Sequence, residues 1–232
     1  MGKIKYEFLK RYKSDLNGYE DIVKFHQFCT AGNYDAISLD FSKCSYISPD
    51  IISILASAID ISKQKHTNFE YIYGTLSSNI RLKNYLNSSG FISYVENKPY
   101  EYFGNNAVKL EKFNINQFED EILLNKHIDN ILATSKINMT DNFHLRLFNS
   151  IFELYKNAMI HSETKCGIYS CGHYQPKNEK LIFSLYDSGI GIPNKIRNYF
   201  KSKTSRKEYD RIGSIESHKL LKWAFESGKF NF

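Results

Sequence analysis

Between residues 36 and 90 short apolar strands alternate with helices that carry their own start and stop signals. That alternation restricts the fold more than any other feature of the chain. Ala36 to Phe41 reads as a strand. Ser48-Pro49-Asp50 then opens a helix, with Ser48 as N-cap, Pro49 at the first helical position, and Ile51, Ile52, Leu55, Ala58 and Ile59 at helical spacing. Phe69 to Tyr73 is the next strand, closed by Gly74. Ser77 or Ser78 caps a further helix carrying Ile80, Leu82, Tyr85 and Leu86, and Gly90 ends it. Upstream, residues 4–9 suit a strand, and residues 18–30 suit a helix with Ile22, Phe25, Phe28 and Cys29 on its apolar side. Strands separated by helices of these lengths imply an α/β layer with at least partly parallel strands. This half contains no acid–base pair, metal cluster or phosphate loop, so it reads as a binding or scaffolding module.

This order resembles a STAS domain, the anti-sigma-factor-antagonist type of fold, from about residue 36 to 95. The resemblance rests on Leu39-Asp40-Phe41-Ser42 followed by Tyr46-Ile47-Ser48-Pro49-Asp50. It implies a phosphorylatable serine in the turn before the central helix. Aligned on Tyr46-Ile47, that place falls to Pro49 or Asp50, so phospho-switching is not implied and Ser48 keeps its capping role.

Composition narrows the function classes. In 232 residues the hydrophobic share of 42% is enough for a core. No apolar run reaches about 18 residues, so no membrane span is expected. The start, Met1-Gly-Lys-Ile-Lys-Tyr6, has neither a signal-peptide core nor the Ser or Thr of a myristoylation site. Cys29, Cys44, Cys166 and Cys171 lack paired CxxC spacing and read as reduced thiols, which suits a cytoplasmic protein. A zinc site from His161, Cys166, Cys171 and His173 is disfavoured, because Cys166 and Cys171 would point to opposite faces of a strand. The net charge of +6 comes from bases scattered among acids, which argues for solubility and makes nucleic acid an unlikely ligand.

Residues 96–114, rich in Asn with Pro99 and Gly104, suit a boundary. Residues 115–134 read as an amphipathic helix with Phe118, Ile122, Leu123, Ile128, Ile131 and Leu132 on one face. Thr140-Asp141 precedes a long helix in which Phe143, Leu147, Ile151, Leu154 and Ala158 form an expected core stripe. A second stripe is polar: Arg146, Asn149, Ser150, Glu153, Asn157 and His161. Two strands follow, Cys166 to Tyr174 and Leu181 to Tyr186, joined by Pro176-Lys-Asn-Glu179 as an antiparallel hairpin. The second strand delivers Asp187 into Ser-Gly189-Ile-Gly191-Ile-Pro193, where glycine permits positive φ and close backbone approach. An acid, an amide four residues from a second acid on one helix face, and flexible backbone suit a nucleotide and its metal ion.

Glu153-x-x-x-Asn157-Ala158-x-x-His161-Ser162 together with Asp187-Ser-Gly189-Ile-Gly191-Ile-Pro193 resembles the GHKL ATPase family of gyrase, histidine kinases, MutL and anti-sigma kinases, over roughly residues 139–228. The resemblance implies ATP and Mg as cofactors. Asn157 would be the metal ligand, Glu153 the catalytic acid–base residue, and Asp187 the acceptor for the adenine amino group. Gly189 and Gly191 would let the loop close over the base. His161 would reach a phosphate, with capping or packing an equal reading.

The pattern then departs from the family. Ser214 to Phe225 reads as the helix before the ATP lid, and Gly228 stands where the lid should begin, yet these 232 residues contain no second Gly-x-Gly-Leu box. Such a box normally holds the triphosphate on backbone N–H groups. The expectation is therefore an α/β chain in which an N-terminal STAS-like layer (1–100) and a connector (101–114) precede an incomplete GHKL-type sandwich (115–232). It would bind ATP, contact a protein partner or a second copy, and not turn ATP over by itself. A relic site in a non-catalytic interaction protein, and a fragment of an active ATPase or kinase, are the rival readings.

Overall fold

The computed structural model describes residues 2–8, 11–32, 34–64, 68–72, 80–100, 104, 106–114, 118–203, 210 and 212–227. Strands β1 (Lys3–Glu7), β3 (Ala36–Asp40) and β5 (Asn68–Ile72) form a parallel sheet in the order β1-β3-β5, with Ile4 opposite Ile37. A short parallel pair, β2 (Arg11–Tyr12) and β4 (Tyr46–Ile47), lies beside it. The chain is α/β, and the parallel pairing expected of its first half is present.

Helix α1 (Leu16–Ala31) starts at Asp15, whose carboxylate accepts the Gly18 N–H at 2.9 Å. Helix α2 (Pro49–Lys63) begins as expected, with Ser48 at the N-cap and Pro49 first, but the Ser48 hydroxyl makes no capping bond and is buried without a partner. Asp50 places negative charge in the first turn, where the helix dipole favours it, and is held by Ser14 at 2.7 Å and Tyr19 at 2.6 Å. Between α3 (Ile80–Ser88) and α4 (Phe91–Glu96), Gly90 takes φ +75°, the left-handed conformation that ends a helix at no steric cost. Gly74, Ser77 and Ser78 lie outside the described residues, as do Gly228 and positions 204–207 of the basic loop.

Residues 107–113, read above as part of a connector, instead form strand β6 (Ala107–Phe113). It joins β7 (Ile168–Gln175) and β8 (Lys180–Asp187) in an antiparallel sheet of order β6-β7-β8. Its Ala-Val-Lys-Leu-Glu-Lys-Phe alternation is short and bulged between Val108 and Glu111, which hid the strand among polar neighbours. The β7–β8 hairpin is closed by a 3₁₀ turn at Pro176–Asn178, with Glu179 at φ 48°.

Both faces of this sheet are covered. Ile168 packs with α5 (Phe118–Thr134) and α6 (Asp141–His161), while Tyr169 and Cys171 pack toward α2. Cys166 also joins the α2 side, so the two thiols do not point to opposite faces as expected. Cys166 precedes the strand, and Gly167 at φ +96° breaks the alternation between them. Among the described residues no group of three His, Cys, Asp or Glu converges to hold a metal ion, and the four cysteines are buried and unpaired. No described helix is long and apolar enough to cross a membrane.

Helix α2 is buried nearly all round, because α1, α4, β7 and β8 all pack on it. Ile51, Ile52, Leu55 and Ile59 join the core of the first half. Ser53, Ser57 and Asp60 form a stripe at i, i+4 and i+7. Two of them reach the antiparallel sheet. Ser53 bonds Ser184 at 2.6 Å, and Asp60 accepts from Tyr169 at 2.8 Å and from Lys112 at 2.5 Å.

Helices α5 and α6 both differ from expectation in which residues face inward. On α5, Ile128, Ile131 and Leu132 are buried as expected, but Ile122 is exposed while Leu124 and His127 turn inward. On α6, Thr140 caps Phe143 N–H at 3.3 Å, and Ile151 is buried. Phe143 and Leu154 of the expected core stripe are 54% and 53% exposed. Leu147, Ile151 and Ala158 of that stripe do pack inward, but the fully buried ring is Tyr155, beside Phe113 and His127, with Phe148 and Phe152 partly buried around it. Helices α7 (Gly191–Lys203) and α8 (Ser217–Ser227) pack on each other through Ile196, Leu220 and Ala224.

The Ser57 hydroxyl is fully buried with no hydrogen-bond partner. Ser57→Ala removes an unsatisfied polar atom at little change of shape, so stability should rise by about 1 kcal/mol. A lower urea midpoint in the variant would contradict the burial assigned to it.

His127 is buried, with Nε2 3.0 Å from the Ser170 hydroxyl, which also bonds Tyr155. Burial, with Lys109 adding to it, pushes the His127 pKa down to about 4. An unfolded chain would take the proton near pH 6.5 while the folded one would not, so stability is lost as pH falls from about 6.5 toward 4. The contribution approaches about 3 kcal/mol over that range. His127→Gln should flatten the pH dependence of the unfolding free energy between pH 7 and 5 relative to wild type; parallel curves would refute this role.

Candidate functional site

The second sheet and α6 end close together, and the turn after β8 is fastened to that end. The Ile190 N–H donates to the Ser162 carbonyl at 2.9 Å, so the glycine turn lies directly on the C-terminus of α6. Asp187 accepts the Gly189 N–H at 2.9 Å, and Ser188 and Thr164 hydroxyls meet at 3.0 Å. Those bonds fix the turn before α7 begins.

Each glycine of the turn answers to a different need. Gly189 does not take positive φ; a Cβ there would sit 1.9 Å from the Ser162 carbonyl oxygen, so its role is close approach. Gly191 has φ +72° with open space around it, so its role is conformational. Positive φ, expected at both, belongs to one.

Above this junction is a cleft of about 350 Å³, lined by α6, the turn, α7 and α8. Four of the six expected site residues line it: Asn157, His161, Asp187 and Gly191. The other two do not. Glu153 stays exposed on α6 outside the cleft, and Gly189 lies beneath the turn against Ser162.

The lining also holds Leu154, Ile192, Lys195 and Phe225, which the sequence reading did not assign to a site. Leu154, Asn157 and His161 fall at i, i+3 and i+7 on one helix stripe. That spacing is legible in the sequence, but Leu154 fits the expected core stripe of the same helix equally well. Lys195 forms an ion pair with Glu163 across the rim. Phe225 is 75% exposed and is carried to the cleft by α8, whose start is tied to α7 where Arg197 donates to the Ile215 carbonyl at 2.7 Å. No sequence signal within the motif run pointed to a residue so far along the chain.

Chemically, the cleft offers apolar side chains of Leu154, Ile192 and Phe225 beside a carboxylate, an amide, an imidazole and an ammonium. A flat heterocycle bearing an anionic tail matches that mixture of apolar walls and a few convergent polar groups. No protein-family model matches the chain, and no curated protein or solved structure matches it.

Gly189→Ala should be the more damaging of the two glycine substitutions. It must push the turn off Ser162, a clash costing about 1–3 kcal/mol, whereas Gly191→Ala meets only the left-handed penalty of about 1–2 kcal/mol. Denaturant unfolding of both variants checks the order, and equal or reversed losses would contradict the contact.

Proposed function

We propose that the chain is an ATP- and magnesium-binding regulatory protein of the partner-switching type, in which nucleotide occupancy alters contacts with a protein partner or a second copy. The observation that carries this reading is the convergence on one cleft of Asn157 and His161 from α6 with Asp187 and Gly191 from the turn after β8. Asp187 would accept from the adenine amino group, and the base would lie against Leu154, Ile192 and Phe225. Asn157 would hold the magnesium ion. One amide oxygen suits that role, because magnesium keeps waters and phosphate oxygens for the rest of its octahedron. The ion would neutralise phosphate charge when bound. His161 and Lys195 are the cationic or hydrogen-bonding groups at hand for the phosphates.

The position of Glu153 favours binding over turnover. A general base must come within hydrogen-bond reach of the water it activates, and Glu153 is exposed outside the cleft. The same observation supports the second reading, a non-catalytic interaction protein whose nucleotide site is a relic.

ATP with magnesium at 100 times its dissociation constant should stabilise the fold by about 2.7 kcal/mol, raising the melting temperature, and Asn157→Ala or Asp187→Ala should abolish the rise. No rise at millimolar ATP would leave the relic reading standing. Phosphate release above a Glu153→Ala control would show turnover instead.

A further inference from the structure

A second cleft, of about 520 Å³, lies on the opposite side of β6–β7–β8 from α6, where α2, α4 and β6 meet. Four lysines line it: Lys63 from α2, Lys98 from the end of α4, and Lys109 and Lys112 from β6. Three of them have acidic partners. Lys112 pairs with Asp60 at 2.5 Å, Lys109 with Glu111 at 2.8 Å and Lys98 with Glu96 at 2.9 Å. Lys63 differs. Its ammonium donates to the Tyr94 carbonyl at 3.2 Å and lies 5.3 Å from the centre of the Tyr94 ring. The Asp60 oxygen beside it is already shared by Lys112 and Tyr169.

A half-buried ammonium held by a neutral carbonyl, next to a second ammonium, leaves surplus positive charge in a concave and partly desolvated place. Burial lowers the Lys63 pKa, Asp60 opposes that and Lys112 adds to it, so an anion here would offset the cost of holding that ammonium away from water. The donors approach from a helix, a helix end and a strand. Point charges arriving from several directions suit a tetrahedral, multiply charged group, whereas planar carboxylates are better matched by the fork of arginine. We infer that the cleft between α2, α4 and β6 binds a phosphate-bearing small molecule through Lys63, with Lys98, Lys109 and Lys112 around it. Bound there, the ligand bridges the parallel-sheet half and the antiparallel sheet and stabilises their contact. The inference does not depend on the α6 cleft.

Calorimetric titration of the full chain with inorganic pyrophosphate at low salt tests it. Wild type and Lys24→Met, at an exposed lysine outside both clefts, should bind alike, and Lys63→Met should weaken binding by about tenfold to a hundredfold, the loss expected for one charge-assisted contact. Lys63→Met keeps the aliphatic stem that packs in the cleft wall. Amide spectra of wild type provide a reading independent of any variant: resonances of Gly90, Ser93 and Lys112 should shift with pyrophosphate. Binding unaffected by Lys63→Met, binding weakened as much by Lys24→Met, shifts confined to the α6 cleft, equal affinity for succinate, or no binding at millimolar pyrophosphate would each overturn the assignment. Inorganic phosphate and a phosphomonoester, run as parallel arms, separate the free ion from an organic phosphate as the natural occupant.

Discussion

The contact between α2 and the face of β7–β8 is the constraint on which the rest of the structure depends. A helix surrounded on all sides has no solvent face to spare, so every position along it must be apolar, small, or bonded. Ser53 and Asp60 meet that demand with bonds to Ser184, Tyr169 and Lys112. The Cys171 thiol donates to the Pro49 carbonyl at 3.0 Å, and the Ser184 hydroxyl donates to the same carbonyl at 3.2 Å. Polar bonds inside an apolar seam fix which part of the helix meets which part of the sheet. They set the register between the two halves, where apolar packing alone would tolerate sliding.

That seam also gives the two clefts their separate characters. On the α6 side the sheet is covered by a helix whose outer stripe carries Leu154, Asn157 and His161, and the glycine turn closes against its end. On the α2 side the bulged edge strand β6 brings lysines against Asp60 and Tyr94. One sheet thus separates an apolar slot with a carboxylate from a lysine-rich recess. Ligands of different chemistry could occupy both at once, and each would act on a different helix packed against the same three strands.

Much of the fold was legible where local signals are strong. Gly90, Thr140 and Pro49 marked helix ends correctly because their roles are set by backbone geometry within one turn. The parallel strands followed from alternation alone. Failures came where tertiary packing decides. Ile122 and Leu124 are equally apolar, and only the neighbouring sheet determines which turns inward. Phe143 and Leu154 fitted a helical stripe of which Leu147, Ile151 and Ala158 pack inward. The site was partly legible for the same reason: Asn157 and Asp187 belong to runs with distinctive spacing, whereas Phe225 and Lys195 reach the cleft only through the packing of α7 and α8. The lysine recess left no trace, since Lys63, Lys98 and Lys112 are ordinary surface letters until β6 is folded beside α2.

The order of synthesis adds a consequence to the burial of α2. The helix is complete at residue 63, but its partners Tyr169, Cys171 and Ser184 leave the ribosome more than a hundred residues later. At roughly 5–20 residues per second, the sheet-facing side of α2 waits for several seconds or more without its cover. Contacts so distant in sequence also form slowly once the chain is free. A nascent chain in that interval displays the Ser53, Ser57 and Asp60 stripe with its later partners not yet made. The small polar side chains that fix the register of the finished protein are thus also the ones that water can satisfy while the sheet is still to come.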